Sequence, residues 1–335
     1  MSCVASARVL VAGASGYAGA LAARLVERHP RLELAAITSR SDVGKPLRAL
    51  YAHHRVDAVL EELDVDGPHG EVDAAIVAYP HGAAAPAVAA LHARGVKVID
   101  LSADFRLRSL DTYEDWYVEH SAPELLAHAV YGLPERYREE LRDASLVANP
   151  GCFPTAAVLA LAPLAPYLTD VVIDAKTGVS GAGRAATDAT HFVSVTENAK
   201  AYKVGAHRHT PEIEQELEAA GGPAALAISF TPHLLPLDQG ELLSCYLRLE
   251  DSAPPAAELL AAAYAAEPFV ELVPGPPGVR DVRETNLCAL NVVEDPRTGR
   301  TLVFAALDNL WKGTSSQAVQ NLNLMLGLPE GEGIS

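Results

Sequence analysis

Through the first 150 residues, short apolar runs of strand character alternate with Ala/Leu-rich stretches at helical spacing. R-V-L-V-A-G-A near the start, L-E-L-A-A-I-T from residue 32, D-A-A-I-V-A-Y from 73 and V-K-V-I-D-L-S from 96 predict strands. Between them, A-L-A-A-R-L-V-E-R-H from 20 and A-A-P-A-V-A-A-L-H-A-R-G from 84 predict helices. Strand, helix, strand repeated in this way implies a doubly wound parallel sheet. After residue 152 the pattern changes to longer strands with fewer helices between them: D-V-V-I-D-A-K-T-G-V-S-G, A-A-L-A-I-S-F-T-P-H-L-L-P-L, E-L-L-S-C-Y-L-R-L-E, T-N-L-C-A-L-N-V-V-E-D and T-L-V-F-A-A-L-D-N-L-W. This predicts a mostly antiparallel second domain. L-V-P-G-P-P-G-V-R-D at 272 to 281 predicts a loop, and T-S-S-Q-A-V-Q-N-L-N-L-M-L-G-L a closing helix that returns to the first domain.

Composition narrows the function classes. A chain of 335 residues, 49% hydrophobic and 21% charged, suits two packed domains. A formal charge of -17 has the wrong sign for holding nucleic acid or anionic lipid. The start carries no basic leader, and no apolar run reaches the roughly 18 residues of a membrane span. The expectation is a soluble cytoplasmic protein. Cys3, Cys152, Cys245 and Cys288 form no C-x-x-C pair and are expected to be reduced.

Three motifs carry chemistry. G-A-S-G-Y-A-G, with Gly13, Gly16 and Gly19 between the first strand and first helix, would let backbone approach a pyrophosphate at the helix N-terminus. At the end of the second strand T-S-R-S offers Ser39 and Arg40 where an NAD site has an acid, which favours a 2'-phosphate and so NADP(H); the plain alternative is a solvated arginine. In V-A-N-P-G-C-F-P-T-A-A-V-L-A-L-A-P, Cys152 precedes a helix expected to start around Thr155, whose amides and dipole would stabilise a thiolate. The alternative, a packed cysteine, fits Cys245 and Cys288 better, since both sit in strand patterns. A nucleophilic thiol beside a hydride carrier points to a thioester interconverted with an aldehyde.

Proton transfer falls to H-R-H-T-P-E, where His207 and His209 are expected on one face of an extended segment and Glu212 one turn into a helix. Structural hydrogen bonding and a metal pair are the alternatives; no third ligand stands nearby, and no metal is expected. Arg106, Arg184, His233 and Lys312 are candidate contacts for an anionic substrate.

These motifs resemble the N-acetyl-gamma-glutamyl-phosphate reductase family, related to aspartate-semialdehyde dehydrogenase. The cysteine run, G-A-S-G-Y-A-G, I-D-L-S-A-D-F-R-L, Y-G-L-P-E, H-R-H-T-P-E-I, F-T-P-H-L-L-P and K-G-x-x-x-Q-A-V-Q-N cover nearly the whole chain in the family's order. The resemblance implies a Rossmann-type NADP-binding domain, residues 1–148 with 314–335, and a mostly antiparallel α+β catalytic and oligomerisation domain, residues 149–313. It implies Cys152 as nucleophile, the two histidines with Glu212 as the acid/base region, and a homodimer or homotetramer. The implied reaction is NADPH-dependent reduction of N-acetyl-L-glutamyl 5-phosphate to N-acetyl-L-glutamate 5-semialdehyde in arginine biosynthesis. Rival readings are a carrier-linked acyl phosphate, as in lysine biosynthesis, and a non-catalytic dinucleotide-binding regulator. Expected cofactor contacts are Gly13, Ser15, Gly16, Tyr17, Gly19, Ser39, Arg40, Ser180, Gly181 and Asn309; expected substrate contacts are Arg106, Asn149 and Lys312. One departure stands out: Gln239 occupies a segment where the family pattern leads one to expect arginine.

Overall fold

A computed structural model describes residues 6–224 and 226–334. Cys3, and Ala225 within one of the expected strands, lie outside the described residues. The chain divides into two compact units, one comprising the chain up to Pro150 with Thr314 onward, the other Gly151–Gly313.

The first unit is built on seven strands: β1 (Ala7–Ala12), β2 (Leu32–Thr38), β3 (Leu60–Glu61), β4 (Ala74–Val77), β5 (Lys97–Asp100), β6 (Ala129–Tyr131) and β7 (Leu146–Ala148). They are ordered β3-β2-β1-β4-β5-β7-β6, and every pairing is parallel. Val9 to Ala12 and the whole of β4 are buried, because a parallel sheet covered on both faces needs apolar side chains in both directions. The connecting helices are α1 (Tyr17–Arg28), α2 (Leu47–Leu50), α3 (Ala85–Ala93), α4 (Leu110–Trp116) and α5 (Pro134–Asp143).

Asp104, fully buried, fixes the start of α3. Its carboxylate accepts the N–H groups of Gly82, Ala84 and Ala85 at 2.6, 3.1 and 3.0 Å and the Tyr113 hydroxyl at 2.9 Å. This satisfies first-turn amides that have no partner within the helix and sets a negative charge at the positive end of its dipole.

In the second unit, helices α6 (Cys152–Leu161), α7 (Phe192–Val195), α8 (Thr210–Ala219) and α9 (Ala256–Tyr264) accompany a second sheet. Its strands are β8 (Leu168–Thr177), β9 (Lys200–Ala201), β10 (Ser229–Leu234), β11 (Glu241–Leu249), β12 (Val270–Leu272), β13 (Cys288–Asp295) and β14 (Arg300–Leu307), ordered β12-β13-β14-β11-β8-β10-β9. Four of these six pairings are antiparallel; β8 with β10 and β12 with β13 run parallel, so the sheet is mixed. Burial along β8, β11 and β14 largely alternates, with Val171, Ile173, Ala175, Leu243, Cys245, Leu247, Val303 and Ala305 buried on one face. Helix α6 is apolar all round and buried from Phe153 to Leu161, as befits a helix inside a core.

The last helix, α10 (Ser316–Met325), belongs to the first unit and packs on α1 and α5. The amide nitrogens of its buried Gln317 and Asn321 are bonded. Gln317 and Asn321 each donate to the Gly132 carbonyl at 2.8 Å, Asn321 also reaches the Asn149 carboxamide oxygen at 3.0 Å, and the Ser315 hydroxyl donates to the Ala18 carbonyl at 2.9 Å.

Candidate active site

The glycine turn after β1 leaves bare backbone at the start of α1. Gly13 has φ +85°, and a Cβ there would lie 2.5 Å from the Ala78 carbonyl oxygen; one at Gly19 would run into the Gly13 carbonyl. Gly16 is the N-cap of α1, so Tyr17 opens the helix, and the turn is pinned to β2 by the Gly13 and Ala14 N–H groups donating to the Thr38 carbonyl at 3.0 and 2.9 Å. Ser15 accepts the Ser39 hydroxyl proton at 2.9 Å. Ser39 itself is buried and accepts the N–H groups of Ser41 and Asp42, which shapes the loop after β2. Arg40 is exposed beyond it, its guanidinium 4.8 Å from the centroid of the Tyr79 ring. A cradle without side chains, at a helix N-terminus, fits the pyrophosphate of a dinucleotide.

Two expected substrate contacts sit inside the same unit as braces. Arg106 donates from Nε to the Asn149 carbonyl at 2.7 Å and from a terminal nitrogen to the Leu101 carbonyl at 2.8 Å. Asn149, fully buried, donates its own N–H to the Asp100 carbonyl at 2.9 Å and its carboxamide to the Thr314 carbonyl at 3.2 Å. Both side chains fix the backbone at the end of β7.

In the second unit Cys152 is the first residue of α6, three residues earlier than the sequence suggested. Gly151 serves as N-cap, and Pro154 is tolerated because the first helical turn has no intrahelical use for its N–H. The Glu212 carboxylate, 1% exposed, accepts the Gly151 N–H at 2.9 Å, while Thr155 binds the Gly151 carbonyl through both its N–H and hydroxyl at 2.9 Å. The residue that aims the thiol is thereby held from both sides. Cys152 is half-buried, whereas Cys245 and Cys288 are buried core thiols.

His207 and His209 do not stand on an extended segment. The chain turns into α8 there, with His209 in helical backbone as the N-cap at φ -81°, ψ -12°. Their rings still meet, edge to face at 4.8 Å, and both pack against Phe153, the neighbour of Cys152, at 5.6 and 5.9 Å. The His209 N–H donates to His207 Nδ1 at 3.2 Å, which places the proton of neutral His207 on Nε2. Burial, with the cations of Lys203 and Arg208 close by, pushes His207 down to about 4.

The remaining expected contacts divide. The Asn309 carboxamide accepts the Gly240 N–H at 2.7 Å and donates to the Ser180 hydroxyl at 3.1 Å, so those two residues lie together; Gly181 is exposed beside them. Lys312 is fully buried with Nζ 5.6 Å from the Phe269 ring centroid. Arg184 is exposed, and His233 faces Asp174 at 3.1 Å. At Gln239 the backbone carbonyl accepts a guanidinium N–H from Arg283 at 2.9 Å. Among the described residues no group of three or more His, Cys, Asp or Glu is arranged to hold a metal ion.

Three residues escaped the sequence reading. Gly313 allows no Cβ, which would fall 2.8 Å from the Cys152 Cβ; a glycine after Lys312 carries no sequence signal for such a close approach. Asp308 is buried and accepts the N–H groups of Leu310 and Glu284 at 2.9 and 2.8 Å. Glu241 begins β11 fully buried, a position that an alternating strand pattern does not flag.

Comparison with known proteins agrees with this layout. Residues 8–144 match the semialdehyde dehydrogenase NAD binding domain, and residues 152–309 the semialdehyde dehydrogenase dimerisation domain. N-acetyl-gamma-glutamyl-phosphate reductase of Pelotomaculum thermopropionicum is 48% identical over 98% of this chain and 97% of its own; that of Desulforudis audaxviator is 49% identical with the same coverage. Among solved structures, aspartate semialdehyde dehydrogenase II of Vibrio cholerae superposes with a TM-score of 0.74 at 20% identity, covering 96% of this chain and 99% of that one. Aspartate semialdehyde dehydrogenase with NADP from Candida albicans gives 0.70 at 15% identity, covering 96% and 99%. At these identities the structures speak to the fold alone.

Proposed function

The chain belongs to the N-acetyl-gamma-glutamyl-phosphate reductase family of semialdehyde dehydrogenases, and from that premise we propose that it reduces N-acetyl-L-glutamyl 5-phosphate to N-acetyl-L-glutamate 5-semialdehyde and phosphate, in arginine biosynthesis. The observation that carries the reading is the half-exposed Cys152 at the first position of α6, with its N-cap clamped by Glu212. A helix N-terminus favours the thiolate, and only the thiolate attacks efficiently.

Cys152 Sγ forms a bond to the acyl carbon, and the carbon–oxygen bond to phosphate breaks, phosphate leaving with the electron pair. The Gly13 to Gly19 turn would hold a nicotinamide dinucleotide, and the chemistry such a group would supply is the hydride for reduction of the thioester. His209 protonates the thiohemiacetal oxyanion, then takes that proton back as the carbon–sulfur bond breaks and the aldehyde leaves. His207 is suited to holding rather than transferring: its Nδ1 accepts the His209 N–H, and its depressed basicity keeps it neutral through the working range. Arg40, exposed at the end of β2, supports NADPH over NADH by offering a 2'-phosphate a cation, with Ser39 shaping its loop. Arg106 and Asn149 act on the substrate indirectly in this reading, as buried braces.

Homo-oligomerisation is supported by the outward face of the second sheet. Val172, Tyr246, Val293, Leu302 and Phe304 lie there half-buried or exposed, an apolar patch beside the charged Lys176, Asp174 and His233. No helix among the described residues is long and apolar enough to cross a membrane.

The test is the reverse reaction. Purified protein with N-acetyl-glutamate 5-semialdehyde, phosphate and NADP+ is expected to form NADPH in a phosphate-dependent way, with far less product from NAD+ or from aspartate semialdehyde. Cys152→Ser should abolish it; a serine variant with near-normal rate would remove the thioester from the account.

A further inference from the structure

The first residue of β11 is a carboxylic acid with nothing to neutralise it. Glu241 is fully buried, and neither carboxyl oxygen has an aligned hydrogen-bond partner. Leaving such a group charged and unpaired in a core is costly, so its position calls for a reason. In the sheet it sits opposite Thr177 of β8 and Leu307 of β14, on the face that α6 covers. The side chain that interacts with it from α6 is Cys152.

We propose that Glu241 is a catalytic residue that shares one proton with Cys152: its carboxyl takes the proton the thiol gives up and, now neutral, donates a hydrogen bond to the thiolate. The proposal rests on Cys152 being the nucleophile. The step balances without another reactant, since the S–H bond breaks as the carboxyl O–H forms and sulfur keeps the electron pair.

The surroundings favour this arrangement. The ionisable groups facing Glu241 are Cys152 of α6, Asp308 just after β14, and Tyr202 after β9, whose own acidity burial suppresses, with Cys152 and Glu241 adding to it. All three bear no charge or a negative one. The charged groups of the neighbouring strands, Lys176, Asp174 and His233, lie on the opposite face, where Lys176 pairs with Asp174 at 2.7 Å. Arg283 acts on Asp308, whose carboxylate also accepts backbone N–H groups. Burial, aggravated by Asp308, accordingly pushes Glu241 up to about 8. A carboxylic acid kept neutral at neutral pH can donate a hydrogen bond to a developing anion. Because thiol and carboxyl titrate as one coupled system, their protons leave in two macroscopic steps.

The experiment measures the rate of Cys152 alkylation by iodoacetamide from pH 5 to 10 in the full-length protein without substrates, with the labelled peptide identified by mass spectrometry. The wild type is expected to show two inflections, the upper one near the Glu241 value. Glu241→Gln keeps a donor but no titrating proton and should show one inflection. Glu241→Leu loses the donor, and its single inflection should move up by about one unit or more. A single inflection in the wild type, or the same two in Glu241→Gln, overturns the proposal. Wild type alone decides if a variant does not fold. Failure of the nucleophile assignment is read separately, as turnover surviving in Cys152→Ser.

Discussion

Glu212 and Gly151 meet across two helices: the carboxylate in the first turn of α8 accepts, at 2.9 Å, the N–H of the residue that caps α6. A charge-assisted bond in a buried setting fixes direction as well as energy. Glu212→Ala would leave that N–H buried without its acceptor, a loss of about 1–3 kcal/mol. We expect a lower urea midpoint together with slower Cys152 alkylation. Glu212→Gln, which keeps an acceptor, should recover most of the stability; equal loss in both would mean that the charge, and not the bond, holds the turn.

Much of this was legible beforehand for a physical reason. The parallel strands and the glycine turn are local signals, because burial on both faces demands unbroken apolar runs and the turn admits no Cβ at Gly13. The place of Cys152 at the mouth of a buried helix was legible from Pro-Gly-Cys ahead of an apolar run. Illegible were contacts set by tertiary approach: Gly313 against Cys152, Glu241 beneath it, and the turn that carries His209 out of an extended path. Arg106 and Asn149, polar residues within motifs, also make bonds to backbone carbonyls around the end of β7 that no local pattern announces.

The two histidines should separate by pH. His207 falls to about 4 in the folded protein against an ordinary 6.5, so the folded state prefers it neutral. That preference stabilises the fold above pH 6.5 and is lost as pH falls from there toward 4, where the unfolded chain binds the proton more readily. His207→Gln should therefore flatten the dependence of melting temperature on pH across that window. It should leave the pH profile of kcat near neutrality unchanged in form, while His209→Asn removes a limb of it. A limb lost in His207→Gln instead would reverse the two roles.

Asp104 should prove a stability residue of the dinucleotide unit. Four donors converge on its carboxylate, three of them backbone N–H groups at the start of α3. Asp104→Ala leaves them unpaired, and Asp104→Asn turns an NH2 toward at least one. Either should cost on the order of 3 kcal/mol by chemical denaturation. A change below about 0.5 kcal/mol, the scale of an ordinary surface substitution, would mean that the amides find other partners.

Arg40 should govern cofactor choice. Stripped to Ala, it withdraws a guanidinium from a 2'-phosphate but takes nothing from a ribose hydroxyl. The dissociation constant for NADPH should rise about tenfold or more, with little change for NADH. Titration by nicotinamide fluorescence measures both; parallel changes for the two cofactors would place the 2'-phosphate elsewhere.

Gly313 and Cys152 leave room for no further atom between them. A methyl group on Gly313 would lie 2.8 Å from the Cys152 Cβ and 3.2 Å from the Asp308 carbonyl oxygen. Neither neighbour is the free end of a flexible side chain, so relief must come from a shift of the first residue of α6 itself. That residue is held by Glu212 and Thr155 through Gly151, and a displacement there moves the thiol off its line of attack. Misplacing a nucleophile by about 1 Å can cost on the order of 100-fold in rate. Gly313→Ala is therefore expected to lower kcat by one to two orders of magnitude with a smaller change in KM, and to slow Cys152 alkylation in parallel. A normal kcat in a folded Gly313→Ala protein would show that the thiol tolerates the shift, and that its aim is set by the substrate instead of by this contact.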